Sequence, residues 1–470
     1  MSLITALNAA RSGMSTSSRW ADTVSTNIAN ANNASYARRE TQITTNVQGA
    51  AQVSEITRAV DGALDAMYRG EVGRTAKQDA IATGLESYTT LLGDTESTDT
   101  VLTRLTDFQS SLGLLAVSPS DTALQRATVG DAQELTQALN RAGGNLDAAL
   151  DRAGDGIASD VAAVNSTLAK IAGLSDRLAG QGQSADARLA LQDELGAELD
   201  ALSEYMDFTT RTDSKGRIEI FTGGGTALIT GGEAETLSFD ADSGILSAGE
   251  IEITPGVAGK RGISEGSLSG KIELLTTVLP EMRAQLDEVA RALIDGMVAA
   301  DASLAAGEAG LFTDNGAALS DPFEPGLASR ISVNDAVVPE SGGSLWRIRD
   351  GLGADAPGPA GDNTQVTAFA DTLDGAMGFD ESLGLGDNMS LPSYISTLIA
   401  SQNSTRASAE TSAKSLAAGT IAVQSSRLSF MGVNVDDELQ QLAAIQQSYN
   451  ANAQTLSVVS EMLDTLLGAI

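Results

Sequence analysis

Cysteine and histidine are both missing from this 470-residue sequence. Without cysteine there is no disulfide, no thiolate metal site and no sulfur nucleophile. Without histidine the chain lacks the side chain most used for acid–base work near neutral pH and the commonest metal ligand. Ser-His-Asp triads, HExxH motifs and His/Cys zinc sites are therefore excluded, and only carboxylates, Lys and Ser remain as candidate catalysts. Aromatic residues make up 4% of a chain that is 42% hydrophobic. Its cores must be built from Leu, Ala, Val and Ile, which suits helix packing. Proline is also scarce, nine residues against 48 Gly, so the chain is not a Pro-rich disordered one.

Positive charge is in short supply. Twenty-nine basic residues face 62 acidic ones, a net charge of −33, and no stripe of Lys and Arg gathers anywhere. Nucleic acid is not an expected partner. No run approaches the 18 or more apolar residues of a membrane-spanning helix, so membrane insertion is not expected either. Met1 to Arg11 lacks a basic segment followed by a long apolar run, which predicts no cleaved secretory signal. Composition alone points to the cytoplasm, and the length to about three domains.

The clearest signal lies at the two ends. Leu3, Leu7, Ala10, Met14, Ser17, Ala21, Val24 and Ile28 are spaced alternately four and three apart, and only Ser17 is polar. Leu439, Leu442, Gln446, Tyr449, Ala453, Leu456, Ser460, Leu463, Leu467 and Ile470 alternate in the same way. Both are heptad seams, predicting terminal helices paired as a coiled coil. Their backs are unusual. No charged residue occurs from Leu439 to Ser460, and only Arg11, Arg19 and Asp22 from Met1 to Ala37. A solvated coiled coil carries Glu and Lys at its outer positions. Uncharged, amide-rich backs point to burial against other chains, where an unpaired charge is costly; one intramolecular pair on the surface is the alternative.

Between the ends, Val53 to Leu115 carries apolar residues at helical spacing, Leu64, Met67, Leu85, Tyr88, Leu91 and Leu92 among them. Ser118-Pro119-Ser120-Asp121 stops that helix and starts a long one reaching about Leu178. Gly180 to Ser184 breaks it, and Asp186 opens another ending near Met206. From Phe208 the period becomes two: Arg217 to Phe221 alternates and runs into Gly223-Gly224-Gly225, and similar pieces continue to Pro255, predicting a small, mainly antiparallel β subdomain. Helical spacing returns from Ile272 to Leu293, with a kink or fresh start at Pro280. Asp301 to Asp387 is rich in Gly, Asp and Pro, and helical character resumes from Leu391 to Phe430. The fold class is mainly α with a small β part: paired terminal helices, a central long-helix bundle and an inserted β subdomain.

No constellation joins a nucleophile, a base and an orienting group, which predicts neither enzyme activity nor a cofactor. Asp240-Ala241-Asp242-Ser243-Gly244 has the look of a calcium loop, but Gly244 stands where a ligand is needed, so a β-turn is the better reading. Asp436, Asp437 and Glu438 sit where an N-cap and first helical turn belong, which favours negative charge; a metal site is the alternative.

Asn27-Ile28-Ala29-Asn30-Ala31-Asn32, ending with Tyr36 and Arg38, resembles the N-terminal block of flagellar axial proteins. Gly432-Val433-Asn434-Val435-Asp436-Asp437-Glu438, followed by Gln446 to Ala453, resembles their C-terminal block. With Gly266-Ser267-Leu268-Ser269-Gly270 opening a long helix, the arrangement is most similar to the hook-associated protein 1 family. Two departures stand out: Ala34-Ser35 replaces the family's Pro-Gly, and 312–374 is too short for the β domain that longer members insert. The resemblance implies a secreted structural subunit at the hook–filament junction, exported unfolded by the flagellar type III pathway, which replaces the cytoplasmic assignment. It implies polymerisation into a tube, with the hook protein and the second hook–filament junction protein as partners and an export chaperone at the C-terminus. Another axial protein (hook protein, second junction protein or flagellin) and a carboxylate-dependent hydrolase are the competing readings. The implied organisation is a terminal helix over 1–36, a helical middle domain over 37–207, a β subdomain over 208–265, the rest of the middle domain over 266–433 with an irregular part at 304–387, and a second terminal helix over 434–470.

Overall fold

The computed structural model describes residues 3–46, 49–93, 99–259 and 261–468. The chain is mainly helical with small antiparallel sheets. It opens with helix α1 (Leu3–Ala29), followed by strands β1 (Arg39–Thr45) and β2 (Ala51–Arg58), which pair as an antiparallel hairpin. This hairpin corrects the helical reading of 37–207 and of the stretch from Val53. Thr41, Ile43, Thr44, Thr45, Val53, Ile56 and Thr57 are β-branched and suit a pleated surface, and their period of two was lost beside the longer helical pattern.

Helix α2 (Gly62–Leu92) starts where the Asp61 side chain accepts bonds from the N–H groups of Ala63 and Leu64. Helix α3 (Val101–Val117) and the 58-residue α4 (Thr122–Ala179) follow, and Asp121 caps α4 in the same way. At 1.5 Å per residue α4 is about 87 Å long. Helix α5 (Ala185–Tyr205) begins at Ser184, whose hydroxyl accepts from Ala187 N. Next come β3 (Phe208–Thr212), β4 (Ile218–Thr222), β5 (Ala227–Thr230) and β6 (Glu233–Ala234), forming one antiparallel sheet in that order. Strands β7 (Leu237–Asp240), β8 (Ile245–Ala248) and β9 (Ile251–Glu252) form another. The segment Asp240 to Gly244 is the turn between β7 and β8, with Asp240 accepting from Asp242 N at 3.1 Å and Ser243 Oγ at 2.8 Å.

Helix α6 (Ser267–Glu273) runs through a π-helical turn, Leu274–Val278, into α7 (Leu279–Ala300), which carries Pro280 in its first turn. The proline therefore lies inside one continuous helix, and the π-helical turn just before it is where the regular ladder is interrupted. Gly266 has φ +94, and its N–H donates to Gly73 O at 3.0 Å. A Cβ there would collide with the Tyr205 carbonyl, so the helix opening needs glycine both for its backbone conformation and for its approach to α5.

The region read as irregular, 304–387, is more ordered than its composition suggests. It holds β10 (Phe312–Asp314) paired with β11 (Ile331–Val333), short helix α8 (Arg347–Asp350), helix α9 (Thr364–Asp374), and β12 (Ala376–Gly378), which pairs with β13 (Asn388–Ser390) just beyond the region. It packs into the main core through Phe312, Leu327, Ile331, Ile348, Val366 and Phe369. Phe312 meets Phe108 of α3 edge to face at 5.6 Å. The chain closes with α10 (Leu391–Met431) and α11 (Val435–Gly468).

Two cores share α4. Its first half packs with α2, α3, α7, α9 and the start of α10 around Tyr88, Leu139, Leu293 and Tyr394. Its second half packs with α5, α6 and both larger sheets around Ile157, Leu168, Leu202, Ile220 and Leu246. After Ala409, α10 continues along α2 as a stalk flanked by α5, with only Ala413 and Met431 of its remaining residues buried. The stalk leads to α1, the hairpin and α11.

Candidate functional site: the terminal helix pair and its joint

Helices α1 and α11 lie antiparallel. Asn27 reaches Glu438, Ser17 Oγ lies 3.5 Å from Ser448 Oγ, and Gly13 faces Asn452. A Cβ on Gly13 would come within 2.6 Å of the Asn452 side chain, so a small residue permits this approach. Ser12 Oγ and Thr16 Oγ1 donate to Ala51 O at 2.5 and 2.9 Å, laying the hairpin on the flank of α1.

On α1, Ala10 and Val24 are buried, while Leu3, Leu7, Met14, Ala21 and Ile28 are half-buried. On α11 the buried register differs from the sequence reading. Glu438, Ile445 and Val459 are buried, Leu442, Ala453, Leu456 and Leu463 are half-buried, and Leu439, Tyr449 and Leu467 are exposed. Ile470 lies outside the described residues. Packing runs along 438, 445, 452 and 459, one residue to the side of every second position in the heptad reading. Two of those four are polar, Glu438 and Asn452, which is why an apolar template missed the line. Leu439, Tyr449, Val458, Met462, Leu466 and Leu467 are between 41% and 72% exposed. A side cleft of about 410 Å³ also opens between the helices beside Ser17, Ala21, Ile445 and Tyr449. The pair is closed on one side only.

The joint at the base of the pair is built around Asn27, which is 1% exposed. Its Oδ1 accepts from Tyr36 Oη at 2.7 Å and Arg39 N at 2.9 Å; its Nδ2 donates to Arg39 O at 3.0 Å and Glu438 Oε1 at 3.1 Å. One amide thus ties α1, the chain leading into β1, and α11. Burial pushes the Tyr36 phenol up to about 12, and the Arg39 guanidinium, 4.8 Å over its ring, pulls the other way. Burial also raises Glu438 above the usual carboxylate range, against the Asn27 bond and the charge of Arg38; Asp437 adds to the rise. Its second oxygen has no hydrogen-bond partner. Glu438 is therefore a buried tie between helices as well as a first-turn acid, beyond the capping role read for it.

The remaining signature residues shape the turns. Ile28 and Asn30 are half-buried and Ala29 is exposed, with Asn30 Nδ2 donating to Thr26 O at 2.9 Å. Asn33 closes the following turn by accepting from Ser35 N and Tyr36 N, so Ala34-Ser35 makes a turn without Pro-Gly. Arg38 N donates to Met431 O at 2.8 Å. Gly432 and Val433 are half-buried, and Asn434 accepts from Asp436 N at 3.1 Å through its side chain and from Glu438 N through its carbonyl, starting α11. Among the described residues no group of three or more His, Cys, Asp or Glu is placed to hold a metal ion, and no helix is long and apolar enough to cross a membrane.

The model of the flagellar hook-associated protein FlgK helical domain matches residues 85–304. This part of the chain is similar to the FlgK helical domain. That match runs from the end of α2 through α7 and takes in all of α4, the helix both cores share. The C-terminal model of the flagellar basal body rod FlgEFG proteins matches 424–469, which covers α11 and the end of α10. Flagellar hook-associated protein 1 of Bacillus subtilis (strain 168) is 22% identical, over 99% of this chain and 98% of that protein. The protein of the same name from Escherichia coli (strain K12) is also 22% identical, over 98% and 99%. Among solved structures, the flagellar hook junction protein FlgK from Burkholderia pseudomallei is 20% identical over 53% of this chain and 46% of its own, at a TM-score of 0.44.

Proposed function

We propose that this chain is a structural subunit of the bacterial flagellum that joins hook to filament, exported through the flagellar type III pathway and polymerised through its terminal helices. The observation that carries the polymerisation is the one-sided closure of the α1–α11 pair, which leaves six large apolar or aromatic residues of α11 uncovered. Full burial of a Leu or Met is worth about 1.5–3 kcal/mol against exposure, and α11 has no charged group from Leu439 to Ser460 to desolvate on contact. Copies of the same chain, the hook protein and the second junction protein are the partners that would cover this face, and an export chaperone would shield the C-terminus beforehand. In this reading 1–36 and 434–470 form the inner wall of a tube and the helical body the outer one. The chain-length relatives named hook-associated protein 1 and the FlgK helical-domain match support the junction role.

Deleting the gene tests the reading. Cells are expected to keep hooks and lose filaments, with the wild-type gene restoring them and Leu466→Asp failing to do so while its product still folds. Normal filaments in the deletion strain would refute the junction role, and loss of hooks as well would place the chain earlier on the axis, where the match to the rod proteins' C-terminal domain also fits.

A further inference from the structure

We infer that α5 carries a latch fixing the angle between the terminal unit (α1, the hairpin and α11) and the helical body, with Asp193 as its pin. Strands β1 and β2 pair Arg39 directly with Arg58 at the mouth of the hairpin. Two like charges opposite one another repel, and a single carboxylate from the body satisfies both. Asp193 Oδ2 pairs with Arg39 Nη2, and Oδ1 accepts from Arg58 Nε at 2.8 Å and from Ala37 N at 3.4 Å. The Arg39 and Asp193 side chains are 7% and 13% exposed, so this is a largely dehydrated ion pair, whose loss would leave two cations facing one another without an anion. Seven residues further along the same face of α5, Asp200 accepts from Arg69 Nε of α2 and Arg427 Nη1 of α10, each at 2.7 Å. Arg427 also pairs with Asp65 at 2.6 Å. That second cluster braces the stalk against α5, and the first hangs the terminal unit on it.

Besides the Arg39–Asp193 pair, the buried residues at this junction include the small Ala37 and Ala59 and, at the end of the stalk, Met431. The chain crosses from the stalk to the terminal unit in two short connectors, 59–61 and 432–434, with the Arg38–Met431 backbone bond beside them. Next to Asp193 a cleft of about 1100 Å³ separates Ser54 and Thr57 of β2 from Arg188 and Gln192 of α5. An open cleft in place of a packed interface means that releasing Asp193 frees the unit to turn about the two connectors. The structural-subunit reading supplies the purpose, because a unit that must meet its neighbours at one angle needs that angle set by the body.

The absence of cysteine makes the test direct. Spin labels at Thr44→Cys on β1 and Ala190→Cys on α5, both exposed positions, report one distance in the full-length monomer by double electron–electron resonance. A single narrow distance distribution is expected, lost in Asp193→Ala and in Asp193→Asn, which keeps size and an acceptor but not charge. Circular dichroism identifies a variant that has unfolded, and the other then carries the comparison. A narrow peak unchanged in a folded variant, or no narrow peak in the parent chain, would overturn the latch. The readout is taken on the monomer, so its outcome is separate from whether the deletion strain lacks filaments.

Discussion

Asn27 spends all its hydrogen-bonding capacity inside the joint, where Tyr36 and Arg39 are themselves buried. Each buried group left unsatisfied costs about 1–3 kcal/mol. Asn27→Ala is expected to loosen the terminal unit by about 3 kcal/mol, read as faster amide exchange in β1 and β2 with the body unchanged; undiminished protection of the hairpin would contradict the hub role. Glu438 makes a second test. Burial raises its proton affinity in the folded state above the ordinary carboxylate value of 4.5, so the folded joint binds more protons than the unfolded chain. Its contribution is then fully present below that value and is lost as pH rises through the raised one. The chain has two tryptophans, Trp20 on α1 and Trp346 in the body. In a Trp346→Phe background, Trp20 emission followed in denaturant is expected to show the terminal unit weakening as pH climbs from 4 towards neutrality. Glu438→Gln should flatten that dependence, and an identical slope in the variant would remove Glu438 as its source.

At the level of elements, the long helices and the β subdomain were legible because their periods are long and their boundaries explicit: Asp121 opens α4, and the break over Gly180 to Ser184 separates it from α5. The short elements were not. The hairpin has only seven and eight residues per strand, and its alternation breaks at the bulge between Gln42 and Ile43, where Ile43 is left exposed. Helix α9 buries Val366, Phe369 and Leu373 at three- and four-residue spacing after Asp362, a usable signal masked by the Gly and Pro around it. The joint was half-legible. Its residues stood in the quoted signature, but that Asn27 bonds Glu438, 411 residues away, depends on the antiparallel pairing of helices at opposite ends of the chain. Likewise the packing line of α11 runs partly through polar residues, so a search for apolar spacing lands beside it and picks out positions that the monomer leaves open or half-covered.

For the whole molecule, neither core draws on α1 or α11: the two buried clusters run from Ile81 to Ala409 and from Ile157 to Ile272. The body should therefore fold alone. Removing 1–30 and 440–470 is expected to leave a cooperative thermal transition in far-UV circular dichroism, and a chain that is unfolded after truncation would show that the ends are part of the core. The account rests on the open face of α11 being covered when copies assemble. Hydrogen–deuterium exchange over 439–468, compared between the free monomer and the assembled polymer, tests this most directly. The amides of that segment should exchange rapidly in the monomer and become strongly protected in the polymer. Equal exchange in the two states would contradict it.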